Sequence, residues 1–415
     1  MFARSFLRFN RAALVVGGCS GVAAGACALF ASSDAAECHG NHSHGGSDSS
    51  SSRIERLEQQ VAKLTELLKE QFNVSMTSGQ GKAVFSWDRV LTAAFPDGAK
   101  AYEKNMHGGF NEDSKTGIVY TGIPGFGLCT ISPDLKTWSL LGSDERLKAN
   151  IHGIVVFEHD GVTSIALAQN EDQRVLIVGL DGAVKQQLDM PKGGEFNFAE
   201  ANAYYSKRPK QQCPWEVGAR APHSAVFAVT DVTYLNGKLY CVTGYSDGDF
   251  VLTASLDSES NAAWGPTAWG GKGDGAAQFQ TAHGVFAHDG KIFVANREAH
   301  EVLEFTEEGH LVRSLPDIPN GARICNVARA EEDDMFVFNA LAPINHCPGR
   351  AASIYAHSGE RLLSEIQPGE LGIPVLKHLH HVWPHYVEQP DGTKQASFYV
   401  IQPLTFHACE TCSQF

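Results

Sequence analysis

Residues 271–309 read Gly271-Lys-Gly-Asp-Gly-Ala-Ala-Gln-Phe-Gln-Thr-Ala-His-Gly-Val-Phe-Ala-His-Asp-Gly-Lys-Ile-Phe-Val-Ala-Asn-Arg297-Glu-Ala-His-Glu301-Val-Leu-Glu-Phe-Thr-Glu-Glu-Gly309. A glycine-rich loop leads through Gln278-Phe279 into an apolar strand. Asp289-Gly290 supplies the two-residue hairpin turn, a second strand follows, and a third ends at Gly309. This is one antiparallel sheet written in a single stretch of chain.

Aligned on that hairpin, five other segments repeat the pattern more weakly. They are His107-Gly-Gly-Phe-Asn, His152-Gly-Ile-Val-Val-Phe-Glu-His-Asp-Gly, Thr230-Asp-Val-Thr-Tyr-Leu-Asn-Gly, Cys325-Asn-Val-Ala-Arg and His380-His-Val-Trp-Pro. Their anchors at 107, 152, 231, 283, 326 and 381 lie mostly ~45 to 55 residues apart, and a larger gap holds an insertion around residues 191–226. With 41 glycines and 17 prolines in 415 residues, the composition also suits many short strands joined by turns. The fold class expected is all-β, a six-bladed β-propeller over residues 80–404. A propeller must close its ring or leave a sheet edge bare. The strand-like run Val84–Val90 is therefore expected to complete the last blade by pairing with Ser397–Gln402.

The segment 271–309 resembles an NHL repeat, so the chain resembles the NHL-repeat propellers. That resemblance implies that the residue just before the innermost strand of each blade faces the central channel. Those positions are His107, His152, Asp231, His283, Asn326 and His381. Alternate blades then contribute His152, His283 and His381, and three imidazoles at three-fold spacing suit a tetrahedral metal that keeps one corner open. The expected ligands are His152, His283 and His381, with zinc or another divalent transition metal between them. His107, Asp231 and Asn326 are expected as outer groups or as a second site for a harder cation. His380 is the register rival of His381, since a slip of one residue exchanges inward and outward faces.

This ring is similar to that of peptidyl-hydroxyglycine (peptidylamidoglycolate) lyases, propellers in which three histidines from alternate blades hold zinc. The resemblance implies an active-site tyrosine and arginine, for which Tyr204, Tyr205, Arg208 and Arg220 in the long insertion are candidates. A metal-dependent lyase or hydrolase acting on a small molecule or peptide follows. The alternative is a non-catalytic propeller serving as a protein-interaction scaffold. A lactonase-like calcium site would call for acidic and amide oxygens, which the imidazole-rich ring disfavours.

The formal charge of −14, from 33 basic against 47 acidic residues, argues against nucleic acid as a partner. The N-terminus reads differently from the body. Arg4, Arg8 and Arg11 without any acid precede an uncharged run, residues 12–31, long enough at about 1.5 Å per residue to span a ~30 Å bilayer core. Residues 1–35 are thus expected as a targeting and membrane-anchor segment that places the propeller on the non-cytosolic side. The arginine-rich start favours the mitochondrial inner membrane and intermembrane space. Sequons at Asn41 and Asn73 keep the secretory route as the alternative.

Residues 36–52 form a His/Gly/Ser linker too polar to fold. From 53 to 72, Ile54, Leu57, Val61, Leu64 and Leu68 alternate steps of three and four, which predicts a coiled-coil helix and a homo-oligomer. Residues 405–415 carry Cys409 and Cys412, a pair that suits either a disulfide or half of a metal site.

Overall fold

A computed structural model of the chain describes residues 12–17, 77–81, 83–87, 97–191, 197–198, 227–246, 248–341, 352–371, 379–388, 392 and 394–401. The polar linker, the expected coiled coil at 53–72, most of the insertion and the Cys409/Cys412 tail lie outside the described residues. So do residues 1–11 and 18–35. The described chain belongs to one compact unit formed by Met1–Cys19 with Ser78–Phe415, apart from Thr77, which falls in the second unit, Ser20–Thr77.

The strands assemble into six sheets. Five are blades whose four main strands run consecutively along the chain. Blade I comprises Phe110–Glu112, Val119–Ile123, Gly127–Ile131 and Trp138–Leu141. Blade II comprises Gly153–His159, Val162–Gln169, Arg174–Gly179 and Val184–Asp189. Blade III comprises Asp231–Leu235, Lys238–Val242, Phe250–Leu256 and Ala262–Gly270, with the short strand Asn197–Phe198 added in parallel at its outer edge. Blade IV comprises Ala282–His288, Lys291–Asn296, Glu301–Thr306 and Leu311–Ser314. Blade V comprises Arg323–Ala330, Met335–Leu341, Ser353–His357 and Leu362–Ile366.

Blade IV is the stretch quoted at the outset, and its hairpin turns where expected. Asp289 and Gly290 sit at φ 48° and 68°, and His288 pairs across to Lys291. Two successive residues at positive φ match the right-handed twist of the flanking strands.

The sixth sheet is composite. His381–Glu388 and Lys394–Ile401 form a hairpin, and three strands from the other end of the chain extend it in the order Ala12–Gly17, Ala83–Trp87, Thr77–Gln80. Two expectations are corrected here. There are five blades of consecutive strands with a composite five-stranded sheet beside them, rather than six four-stranded blades. Ala83–Trp87 also does not pair with the strand near Ser397: Ala12–Gly17 lies between them, parallel to both, with Ala13 opposite Ser397 and Ala12 opposite Phe85. The run Ala-Ala-Leu-Val-Val-Gly is apolar and β-branched enough for a strand enclosed on both edges, and periodicity alone does not separate that from the start of a membrane span. Those six residues are thus placed in a sheet, whereas the rest of the expected anchor is outside the described residues. Among the described residues no helix is long and apolar enough to cross a membrane.

The core is a set of wedges between neighbouring sheets. Phe157, Val175 and Ile177 of blade II pack with Leu239, Cys241 and Leu252 of blade III, and Val242 and Val251 of blade III pack with Val285, Val294 and Leu303 of blade IV. Similar clusters join blades IV and V, blade V and the composite sheet, and blades I and II. The last wedge sets Phe110, Val119 and Ile131 of blade I against Trp383 and Val387 of the composite sheet, so the ring is closed. Burying one face of each sheet against the next leaves only the inner strands to line the axis.

Candidate metal centre on the propeller axis

Two kinds of residue alternate where the inner strands begin. In blades II and IV a histidine is followed by glycine: His152-Gly153 and His283-Gly284. Neither glycine has room for a side chain. A Cβ on Gly153 would lie 2.5 Å from the Asp231 Cα, and one on Gly284 would lie 2.5 Å from the Cys325 carbonyl oxygen. That close approach brings the next blade's carbonyl to the imidazole, and Nδ1 of His152 lies 2.5 Å from Thr230 O and Nδ1 of His283 lies 2.8 Å from Cys325 O. A carbonyl only accepts, so each Nδ1 carries the proton and each Nε2 presents a lone pair. Ligating histidines are commonly oriented this way.

In the intervening blades the ring position holds the structure together instead. Asp231 accepts the amides of Val232 (2.9 Å) and Val285 (3.0 Å), and the Asn326 amide oxygen accepts that of Val382 (3.2 Å). Asn111 does the same for Val156 in blade II at 2.9 Å. His381 belongs to this group. Its Nδ1 accepts from the Phe110 amide at 3.3 Å and its Nε2 lies 2.9 Å from Asn326 Nδ2. The composite sheet instead sends its neighbour, His380, to the axis. The structure therefore brings His152, His283 and His380 together, with ring centroids 5.0, 4.5 and 4.8 Å apart, and places His381 outside that cluster, on the wall of the axial cavity. A strand turns successive side chains to opposite sides, so choosing between adjacent histidines needs the register of the sheet.

His107 joins the same cluster from the segment entering blade I. Its ring centroid is 3.9 Å from that of His380 and 5.2 Å from that of His152. The donor nitrogens of His107, His152 and His380 all lie within 4.8 Å of one another. His152, His283 and His380 are buried, whereas His107 is half-buried. Asp231, Asn326 and His381 line an axial cavity of about 260 Å³, walled by Phe110, Ile154, Val285 and Trp383 among others.

Burial is the main influence on the charges. It lowers His107 to about 4 and holds His152 and His283 well below the usual imidazole range, with the Arg297 guanidinium pushing all three further down. Neutral imidazoles are the form a metal needs. Nε2 of His152 is moreover buried and has no hydrogen-bond partner among the described residues, an uncompensated acceptor of the kind a cation satisfies. The donor set fits a borderline transition ion such as zinc. The Arg297 field opposes a dication, but Glu298 pairs with it at 2.8 Å and with Arg323 at 2.5 Å, and these two partners outweigh burial in keeping the Glu298 carboxyl below its usual range.

Two functional candidates were missed in the sequence. Tyr245 follows the second strand of blade III, and its hydroxyl lies 2.9 Å from Nε2 of His283. Arg297 directly follows the second strand of blade IV and donates to that hydroxyl at 2.9 Å. Because His283 Nε2 is an acceptor, the tyrosine donates to it and accepts from the arginine. Their common placement after a second strand is the signal that could have found them, because that end of each blade faces the same mouth as the histidines. Tyr204, Tyr205, Arg208 and Arg220 lie outside the described residues. Asp249 steadies the site from behind: its carboxylate accepts the amides of Thr281 (2.6 Å) and Ala282 (2.9 Å), and burial pushes its carboxyl up to about 6.

Taken together, the chain is a β-propeller whose axis carries a cluster of histidines close enough to hold a metal. No family model and no curated protein sequence matches it. Among solved structures it is similar to virginiamycin B lyase from Staphylococcus aureus, at 10% identity and a TM-score of 0.40, covering 71% of this chain and 84% of that one. It is also similar to a luciferin-regenerating enzyme, at 13% identity and a TM-score of 0.40, covering 67% and 79% of the two chains. At such identities the likeness extends to the fold alone.

Proposed function

We propose that this chain is a metal-dependent propeller enzyme of the lyase or hydrolase kind, acting on a small molecule or peptide at the mouth of the axis. The observation that carries the reading is the meeting of buried imidazoles from alternate sheets, His152, His283 and His380, with His107 beside them. A bound zinc or similar divalent ion would polarise a substrate oxygen or lower the pKa of its water toward ~7. The Tyr245 hydroxyl, held between His283 and Arg297, can donate or take up a proton at that mouth. On this reading the pair would serve as the tyrosine and arginine that the resemblance to peptidyl-hydroxyglycine lyases implies. The finer kinship with NHL-type rings rests on residues 271–309.

Metal analysis of the purified full-length chain tests the reading. About one equivalent of a transition ion is expected, lost in His152→Ala and retained in His381→Gln. A metal-free protein that takes up no added zinc would leave the interaction-scaffold reading in its place. Membrane attachment, a mitochondrial location and assembly through residues 53–72 are proposals of the same standing. Anchoring would also require Ala12–Gly17 to leave the sheet, because one segment cannot serve both uses.

A further inference from the structure

Resting on the metal reading above, we propose that the ion is held by His107, His152 and His380 alone, and that His283 is a positioning residue that fixes the Tyr245 hydroxyl beside this cluster. The donor nitrogens of His107, His152 and His380 lie within 4.8 Å of one another, the one such group among the described residues. Three imidazoles leave a tetrahedral ion one corner open, as in a catalytic rather than a structural centre.

His152 and His283 are built alike up to one atom. Each precedes a glycine pressed against the next blade, and each Nδ1 donates to a carbonyl there, His152 to Thr230 O at 2.5 Å and His283 to Cys325 O at 2.8 Å. What faces Nε2 differs. That of His152 is buried with no hydrogen-bond partner among the described residues, whereas that of His283 accepts from the Tyr245 hydroxyl at 2.9 Å. A neutral imidazole has a single acceptor lone pair, so His283 has none left for a cation. The hydroxyl is itself held from behind. It accepts from Nη1 of Arg297 at 2.9 Å, and Nε of Arg297 donates to Glu298 at 2.8 Å, which also pairs with Arg323 at 2.5 Å. Cys325, His283, Tyr245, Arg297 and Glu298 thus form one chain of bonds in which each donor faces an acceptor, and His283 cannot turn toward the cluster without breaking two of them. The Tyr245 ring stands edge-on to His152, with centroids 5.2 Å apart and planes at 83°, so the chain runs beside a ligand. With its proton committed to His283, the hydroxyl keeps a lone pair that can receive a hydrogen bond from a hydroxyl or amide reaching the mouth.

The test loads the full-length chain with Co²⁺, whose visible absorption reports coordination, and titrates it with azide. The wild-type spectrum should respond to azide, as an ion with an open position does. His107→Ala and His380→Ala should each weaken Co²⁺ binding at least about tenfold, whereas His283→Leu, which removes no ligand and no partner of one, should change it less than about threefold and keep the wild-type spectrum. Losing that ring alone differs from parting the inner strands of blades IV and V, which would displace several imidazoles together. Positioning is read from 3-fluorotyrosine placed at Tyr245. Its ¹⁹F resonance should shift in His283→Leu and return toward the wild-type value in His283→Gln, whose amide oxygen can accept the same proton. Urea midpoints of the metal-free variants separate these effects from misfolding, and His283→Gln carries the affinity test if His283→Leu does not fold. Loss of Co²⁺ from a folded His283 variant, azide indifference in the wild type, or a ¹⁹F resonance that His283→Leu leaves unmoved would overturn the inference. A wild-type chain that takes up no Co²⁺ removes the metal reading itself, and that result is visible before any variant is made.

Discussion

Replacing Gly284 with alanine tests the idea that close backbone approach sets the histidine ring. The new Cβ would lie 2.5 Å from the Cys325 carbonyl oxygen and 2.8 Å from the Asn326 Cα, where ordinary contact begins at 3.4 Å. Both obstacles are backbone, so the inner strands of blades IV and V must separate by several tenths of an ångström. Overpacking of this kind costs about 1–3 kcal/mol. The shift also strains the hydrogen bond from His283 Nδ1 to Cys325 O, adding about 1 kcal/mol. Urea unfolding should therefore show Gly284→Ala destabilised by about 2–4 kcal/mol, with weaker binding of added zinc. Gly290→Ala is the control. That residue sits at φ +68° with nothing within 4 Å of an added Cβ, so only the backbone term of about 1–2 kcal/mol applies and zinc binding should not change. Equal stability and equal zinc affinity in the two variants would refute the reasoning.

The pH dependence of the chelated protein follows from its buried histidines. His107 and His381 have folded values of about 4 and 3, below the usual 6.5, so their contribution is complete above pH ~6.5 and is lost as pH falls, by up to about 1.4 kcal/mol per unit per histidine. Asp231 and Asp249, raised by burial to about 7 and 6, titrate in the opposite sense, so the readout is the difference between variants. His381→Gln should flatten the fall in urea midpoint between pH 7 and pH 5, and an unaltered slope would count against a buried neutral imidazole there. Deleting residues 1–17 should bare the Lys394–Ile401 edge and lower the unfolding midpoint, and a midpoint equal to that of the intact chain would show that Ala12–Gly17 adds nothing to the sheet. Removing residues 53–72 should reduce oligomer size by light scattering, and no change would rule out the coiled-coil reading. Neutral replacements of Arg4, Arg8 and Arg11 should abolish mitochondrial import, whereas glycans on Asn41 or Asn73 would establish the secretory route.

Local chemistry made the blades readable. Alternating apolar residues around Asp289-Gly290 dictate a hairpin wherever they occur, and recurrence of that unit implies a ring because no single sheet of this kind can bury its faces alone. His152-Gly153 and His283-Gly284 were legible for a related reason: a glycine at that point marks backbone contact with the next sheet, and the histidine before it must then face the axis. Other features depend on partners far away in the chain. Whether His380 or His381 joins the imidazole cluster is decided by the composite sheet's register and by the Phe110 amide and Asn326 side chain that engage the His381 ring. Tyr245 and Arg297 meet His283 only because blades III and IV are neighbours: their place after a second strand points to the mouth, but not to a particular histidine. The use of Ala12–Gly17 as a strand was equally hidden, since apolarity draws a segment out of water without saying whether lipid or a sheet receives it. Sequence by itself determined the repeating unit and half of the imidazole cluster; tertiary structure decided the rest, because register and the meeting of distant side chains are properties of the closed ring.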